Sequence, residues 1–171
     1  MNEEVQIGSP ADGHGILLWC TTIADPSAPT AAELAAGIRI TYGITPDGVN
    51  HTETVQTITT GRWTLDQALE IESRIDDTLE LTYVYGRGNT ETDVQTTLGT
   101  KGTKGFFVKS LGYPNDHEFA AGDVINRIIP GTIGTSRDVP PAANTELAKI
   151  VKVNVSGKVQ RDVVVAGAAG A

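Results

Sequence analysis

The sequence is poor in most of the residues that carry chemistry. It has one cysteine, Cys20, and three histidines, His14, His51 and His117. A single cysteine cannot close an internal disulfide, which argues against a disulfide-stapled secreted scaffold. Cys20 lies in the apolar run GILLWC (15–20) and reads as a small buried residue, not a reactive thiol. The histidines are far apart, and none has a second histidine at metal-ligand spacing. Aromatic residues make up 5% of the chain, too few for the aromatic-lined clefts of glycoside hydrolases. The acidic pair Glu70 and Glu72 is therefore not read as catalytic. Positive charge is scarce as well: 13 Lys and Arg against 21 Asp and Glu give a net charge of −8. That balance disfavours grip on nucleic-acid phosphates and on anionic membranes. No apolar run approaches membrane-spanning length. The start, MNEEVQIGSP, lacks the apolar centre of a signal peptide. These absences predict a soluble protein made in a reducing cytoplasm, with no membrane partner and no cofactor.

Three fragments imitate functional motifs without completing them. GTKGTKG (99–105) lacks the phosphate-loop spacing and does not join a strand to a helix N-terminus. NDHE (115–118) gathers four possible ligands but reads as a solvated turn, and the Asp-Gly at 47–48 is not followed by the alternating acids of a calcium loop. No serine sits in a nucleophile elbow, and no Cys–His pair is suggested. The chain reads as a non-enzyme.

What the sequence does contain is β pattern. Its 171 residues suit one domain with a real core. Strands are expected at 15–23, 38–44, 53–60, 78–86, 105–112 and 123–134, with two more in KIVKVNVSGKVQRDVVV (149–165); 63–73 is read as a strand in preference to a helix started by a Thr64–Gln67 capping box. In the latter, Val151, Val153 and Val155 alternate with Lys152 and Asn154, and Ser156-Gly157 supplies turn chemistry for a closing hairpin. Val163, Val164 and Val165 then follow one another, apolar on both faces, which raises the question of what covers the second face. TPDG (45–48) reads as a reversal. Thr30 and Glu33 form a capping box for a short helix ended by Gly37. NTETDVQTTLG (89–99) is the main helix, starting near Thr90 and Asp93 and stopped by Gly99. Residues 1–13 read as an N-terminal arm and 166–171 as a flexible tail. Charge is split: residues 1–98 carry 4 basic and 15 acidic residues, and residues 99–171 carry 9 and 6. Such a division suits complementary faces for self-association.

The serial order of these segments carries a resemblance over nearly the whole chain. It runs from WCTTIADPSAPTAAELAAGIRIT through the TPDG turn and a Thr-rich stretch to DTLELTYVYG. A polar helix follows, then GTKGFFVKSLG, DVINRIIPGTIG and the final valine-rich segment. In this order the chain resembles the major tail, or tail tube, proteins of long non-contractile-tailed bacteriophages, particularly those infecting actinobacteria.

The resemblance implies a mainly β fold, two packed β-sheets in a sandwich or barrel-like tail tube arrangement, with one flanking α-helix and a short extra helix. It implies homohexameric rings stacked into a hollow tube. DNA would pass through that tube into the host without specific binding, and the tape measure protein and tail-end proteins would be further partners. Residues 44–62 match the loop that contacts the next ring, with Pro46, Asp47, Gly48 and His51 as candidates. The length leaves no room for the extra immunoglobulin-like domain of some relatives. An acidic lining would repel DNA, and Asp66, Glu70, Glu72 and Glu80 are the lumen candidates. Val163, Val164 and Val165 are candidates for a strand covered by a neighbouring subunit. Other readings are a different β-rich virion part, such as a tail terminator or head decoration protein, and a monomeric β-sandwich that binds a sugar or peptide.

Overall fold

The computed structural model describes residues 7–64, 66–87 and 93–167; part of the expected arm and tail, Leu65 and the helix-start residue Thr90 lie outside the described residues. Eight strands form one antiparallel sheet: β1 (Gly15–Cys20), β2 (Ile38–Arg39), β3 (Ile44–Thr60), β4 (Leu69–Val84), β5 (Lys104–Leu111), β6 (Val124–Asp138), β7 (Ala148–Val155) and β8 (Gln160–Val164). Two short helices accompany them, α1 (Ala31–Ala35) and α2 (Asp93–Gly99), with a 3-10 turn at Thr41–Gly43. The sheet order is β2-β1-β5-β6-β7-β4-β3, with β8 also paired to β6.

The sheet curls. Trp19 of β1 shares a buried cluster with Leu79, Leu81 and Tyr83 of β4, although three strands lie between them in the sheet. Phe107, Ile129, Ile133, Val151 and Val153 fill the same cluster, and Val94 and Leu98 of α2 close it. The two packed layers expected from the sequence are thus two halves of one continuous sheet. A second cluster lies on the other face of β1, where Ile16, Leu18 and Cys20 meet Val108, Ile125 and Ile128. It is covered by Leu34 of α1 and by Val163 and Val165. Alternation in β1 therefore feeds two cores at once, because both faces of the strand are covered.

The capping box holds α1 as the sequence implies. The Glu33 amide donates to Thr30 Oγ1 at 3.3 Å, and Glu33 Oε2 accepts from the Thr30 amide at 2.9 Å. Glu33 Oε1 also accepts from the Ala24 amide at 2.7 Å, which ties the preceding loop to the helix.

Three expected reversals and breaks are absent. Residues 63–73 and 78–86 do not form separate strands. No Gly or Pro interrupts 69–84, and β4 runs through as 16 residues. TPDG (45–48) does not turn the chain back; it is a bulge inside β3, taken up between the pairs Ile44↔Tyr83 and Val49↔Leu81. Gly48 belongs there because a Cβ would lie 2.5 Å from the Thr82 carbonyl oxygen. The closing hairpin does not form either. β7 and β8 both run antiparallel to β6, with Gly131↔Val155 and Ile128↔Gln160, so they travel in the same direction along one edge. Five residues advance against three on β6, and the surplus forms a kink whose Ser156 amide donates to the Pro130 carbonyl at 2.9 Å.

Candidate functional site

The most unusual region is the far half of the β3–β4 hairpin. From Thr54 to Thr60 and from Leu69 to Ile75 nearly every residue is exposed on both faces. The strands are well paired there: Thr57↔Glu72, Ile58↔Ile71, Thr59↔Glu70 and Thr60↔Leu69. Directly opposed residues share a face. Ile58, Ile71, Thr60 and Leu69 thus make one face, and Thr57, Glu72, Thr59 and Glu70 the other. Ile58, Leu69 and Ile71 are each more than half exposed, and Val55 and Ile75, paired across a register shift nearer the root, are exposed as well. Trp63, in the turn at the tip, is 103% exposed. A two-faced ribbon with this much uncovered apolar surface is the candidate functional site.

At the root of the ribbon lies an ion network. His51 and Glu53 of β3 and Asp77 of β4 meet Arg127 of β6 and Arg161 of β8. The separations are 3.1 Å for His51 Nε2–Asp77 Oδ1, 2.9 Å for Arg127 Nε–Glu53 Oε1 and 3.3 Å for both Arg161–Glu53 and Arg161–Asp77. The side chains of His51 and Asp77 are only 8% and 9% exposed. The donor atoms of His51, Glu53 and Asp77 all lie within 4.8 Å of one another, a spacing that would fit a metal ion. Both carboxylates are instead occupied by guanidinium groups, so the cluster works as a charge clamp. Burial pushes the Glu53 carboxyl up; the hydrogen bond and charge of Arg127, with Arg161 and His51, outweigh this and hold it below its ordinary value of 4.5.

β4 loses its second neighbour near the clamp. Its pairing with β7 ends at Leu79↔Val153, while its pairing with β3 continues to Leu69. Beyond Leu79 the hairpin is fixed to the body by the clamp and no longer by the sheet ladder.

The residues singled out in the sequence separate accordingly. Glu70 and Glu72 share the polar face of the ribbon, and Asp66 lies in the tip turn. Glu80 sits at the root, opposite Lys152 in the ladder and 3.3 Å from Arg137. Most of the span 44–62 is not an irregular connection but the strand β3, Ile44–Thr60. Pro46 and Asp47 are exposed at one end of it, Gly48 is buried, and His51 is locked in the clamp. Of the valines, Val163 and Val165 are 7% and 1% exposed inside the second core, so the subunit covers them itself; Val164 is 54% exposed. NDHE is more structured than a solvated turn. Asn115 Oδ1 accepts from the Gly15 amide at 3.1 Å, His117 pairs with Asp123 at 2.7 Å, and the Arg39 guanidinium donates to the Asn115 and His117 carbonyls. Burial pushes the Cys20 thiol up to about 11, with Glu33 adding to the shift, which leaves it inert.

At the opposite end of the β3–β4 ladder from the tip is a cavity of about 500 Å³, walled by Val84, Val139, Pro140, Ala142 and Ala148, with Glu146 beside them.

A family model described as phage tail tube protein matches residues 2–168. No curated protein matches the sequence. Among solved structures, a chain of the cryo-EM structure of the anti-feeding prophage baseplate, 6-fold symmetrised, aligns with a TM-score of 0.52 at 9% identity, covering 91% of this chain and 98% of that one. At that identity the likeness is one of fold.

Proposed function

This chain belongs to the phage tail tube protein family, a structural component of the virion tail and not an enzyme, and we propose that its copies form hexameric rings that stack into a hollow tube for DNA. The observation that carries this reading is the ribbon of residues 54–75. Residues 54–60 and 69–75 are paired strand yet uncovered, and two-stranded ribbons of that kind gain stability by packing against something else. Its two faces suit two environments. Ile58, Leu69 and Ile71 fit against a neighbouring subunit, and Glu70 and Glu72 fit a lumen through which DNA slides without counterion-release binding. The tape measure protein inside the tube and proteins at its ends are the further partners of such an assembly. The sixfold symmetry of the anti-feeding prophage baseplate, which contains a chain of the same fold, is in keeping with a hexamer.

Electron microscopy of the purified protein tests the reading. Long hollow tubes with sixfold end views are expected. A single closed ring would favour a tail terminator, and a stable monomer would overturn the assembly. Changing Glu70 and Glu72 to Lys together tests the lumen. The variant tubes should retain short DNA at low salt and release it as salt rises. Variant tubes that hold no more DNA than wild type would place these acids on the outside.

A further inference from the structure

The tip of the ribbon and the cavity at the other end of its ladder are complementary in shape, polarity and charge. Trp63 is fully exposed at the tip, and an indole is the side chain most often found as a buried anchor in protein interfaces. The cavity of about 500 Å³ is roomy enough for it; Val84, Val139, Pro140, Ala142 and Ala148 give it an apolar wall, and Thr45, Thr82, Asn144, Thr145 and Glu146 a polar one. Arg62, beside Trp63, donates among the described residues only to the neighbouring Gly61 carbonyl, at 3.1 Å. Glu146, beside the cavity, has no ion-pair partner among the described residues.

The two features also lie on one axis. The 16 residues of β4 run from the tip to the cavity, roughly 50 Å of strand at about 3.3 Å per residue. A contact between two different surfaces at opposite ends of a molecule is heterologous. When its rotation does not close a ring, it repeats without limit and makes a filament.

We propose that Trp63 of one subunit seats in the Val84–Val139–Ala142–Ala148 cavity of a second copy of this chain in the adjacent ring, with Arg62 facing Glu146. This inference rests on the tube reading and adds the receptor that the ribbon tip enters. It also explains why both ends of the span 44–62 belong to assembly. Trp63 lies just beyond one end of that span, and Thr45, beside exposed Pro46 and Asp47, lines the cavity at the other.

The test is a directed cross-link. Trp63→Cys and Ala142→Cys are introduced together, particles are mildly oxidised, and the products are run on a non-reducing gel. Cys20 stays silent because it is buried. The double variant should give a ladder of covalent multimers that a reductant collapses. Neither single variant should do so, nor should Trp63→Cys combined with Thr22→Cys, Thr22 being an exposed residue away from the cavity. In parallel, Trp63→Ala should raise the concentration needed for tube growth by about tenfold or more at an unchanged melting temperature, and Trp63→Phe should recover most of the loss. Tubes that grow normally from Trp63→Ala, with no ladder from the double variant, would overturn the docking while leaving the tube intact. A wild-type protein that stays monomeric, with no ladder, would overturn both. A ladder without hollow tubes would support the docking and overturn the ring reading.

Discussion

One pair of strands behaves as two structures. Near its root, β3–β4 is core: Leu79 and Leu81 are fully buried and β7 pairs alongside. Beyond the clamp the same ladder continues with similar residues, yet Val55, Ile58, Leu69, Ile71 and Ile75 are 43–58% exposed. The β3–β4 pairing runs through both halves; the second ladder to β7 and the coverage do not. Strand propensity and pairing to β3 are therefore enough to shape the ribbon without cover from the rest of the subunit. The charge clamp marks where one regime gives way to the other.

Mutations can break that comparison in a graded way. Leu81→Ala should have the largest effect on the isolated subunit, a loss of about 2–5 kcal/mol seen by chemical denaturation, because it empties a closed core. Ile71→Ala, on the ribbon, should change subunit stability by less than about 0.5 kcal/mol while tube yield in sedimentation falls. Equal losses of stability from the two variants would mean that the ribbon packs on its own body. Asp77→Asn should come next, at about 1–3 kcal/mol, because it leaves the Arg161 guanidinium and His51 short of a partner in a half-buried site. Hydrogen exchange should then speed up across 54–75 more than across 79–84; uniform acceleration would show that the clamp supports the whole fold and does not set the ribbon's anchorage.

The smallest expected effect is in acid. The Glu53 carboxyl is held below 4.5 in the folded state, so the folded protein favours its charged form. The stability this gives is present above pH 4.5 and is lost as pH falls through the lower folded value. The hydrogen bonds from Ala24 and Thr30 to Glu33 act in the same direction. Melting temperature should drop between pH 5 and pH 3, and Glu53→Gln should flatten part of that drop. An identical slope in the variant would remove Glu53 as a contributor.

Much of the β pattern was legible in the sequence because the apolar run of β1 and the alternation of β7 report burial directly, and the Thr30–Glu33 box announces α1 without help from the rest of the chain. What misled were the turn signals. Pro46-Asp47-Gly48 and Ser156-Gly157 satisfy a bulge or a kink as well as a reversal, since each needs a backbone free to depart from the strand. Only the partner strand decides which forms. Val163 and Val165 suggested a missing neighbour because α1, which helps cover them, lies some 130 residues earlier. The clamp has no local signature, since its five residues come from four strands. Its trace was the charge split. Glu53 and Asp77 from the acidic part pair with Arg127 and Arg161 from the basic part, as Glu80 does with Arg137. Part of the asymmetry that suggested contacts between subunits is used within one.

The kink after β7 has a consequence for synthesis. Because β8 runs onward instead of folding back, it carries Val165 and Ala166 to the far side of the sheet. There the Ala166 amide donates to the Pro29 carbonyl at 2.8 Å, and the Val165 amide donates to the Asp123 carbonyl at 2.8 Å. The bridge Thr30↔Ala166 joins positions 136 residues apart. Contacts of such long range slow folding. The second core cannot close until residues 163–166 have left the ribosome, so a nascent chain shorter than that holds α1 without the strand that seals it. Subunits with both cores closed therefore arise only after nearly all of this sequence has been made.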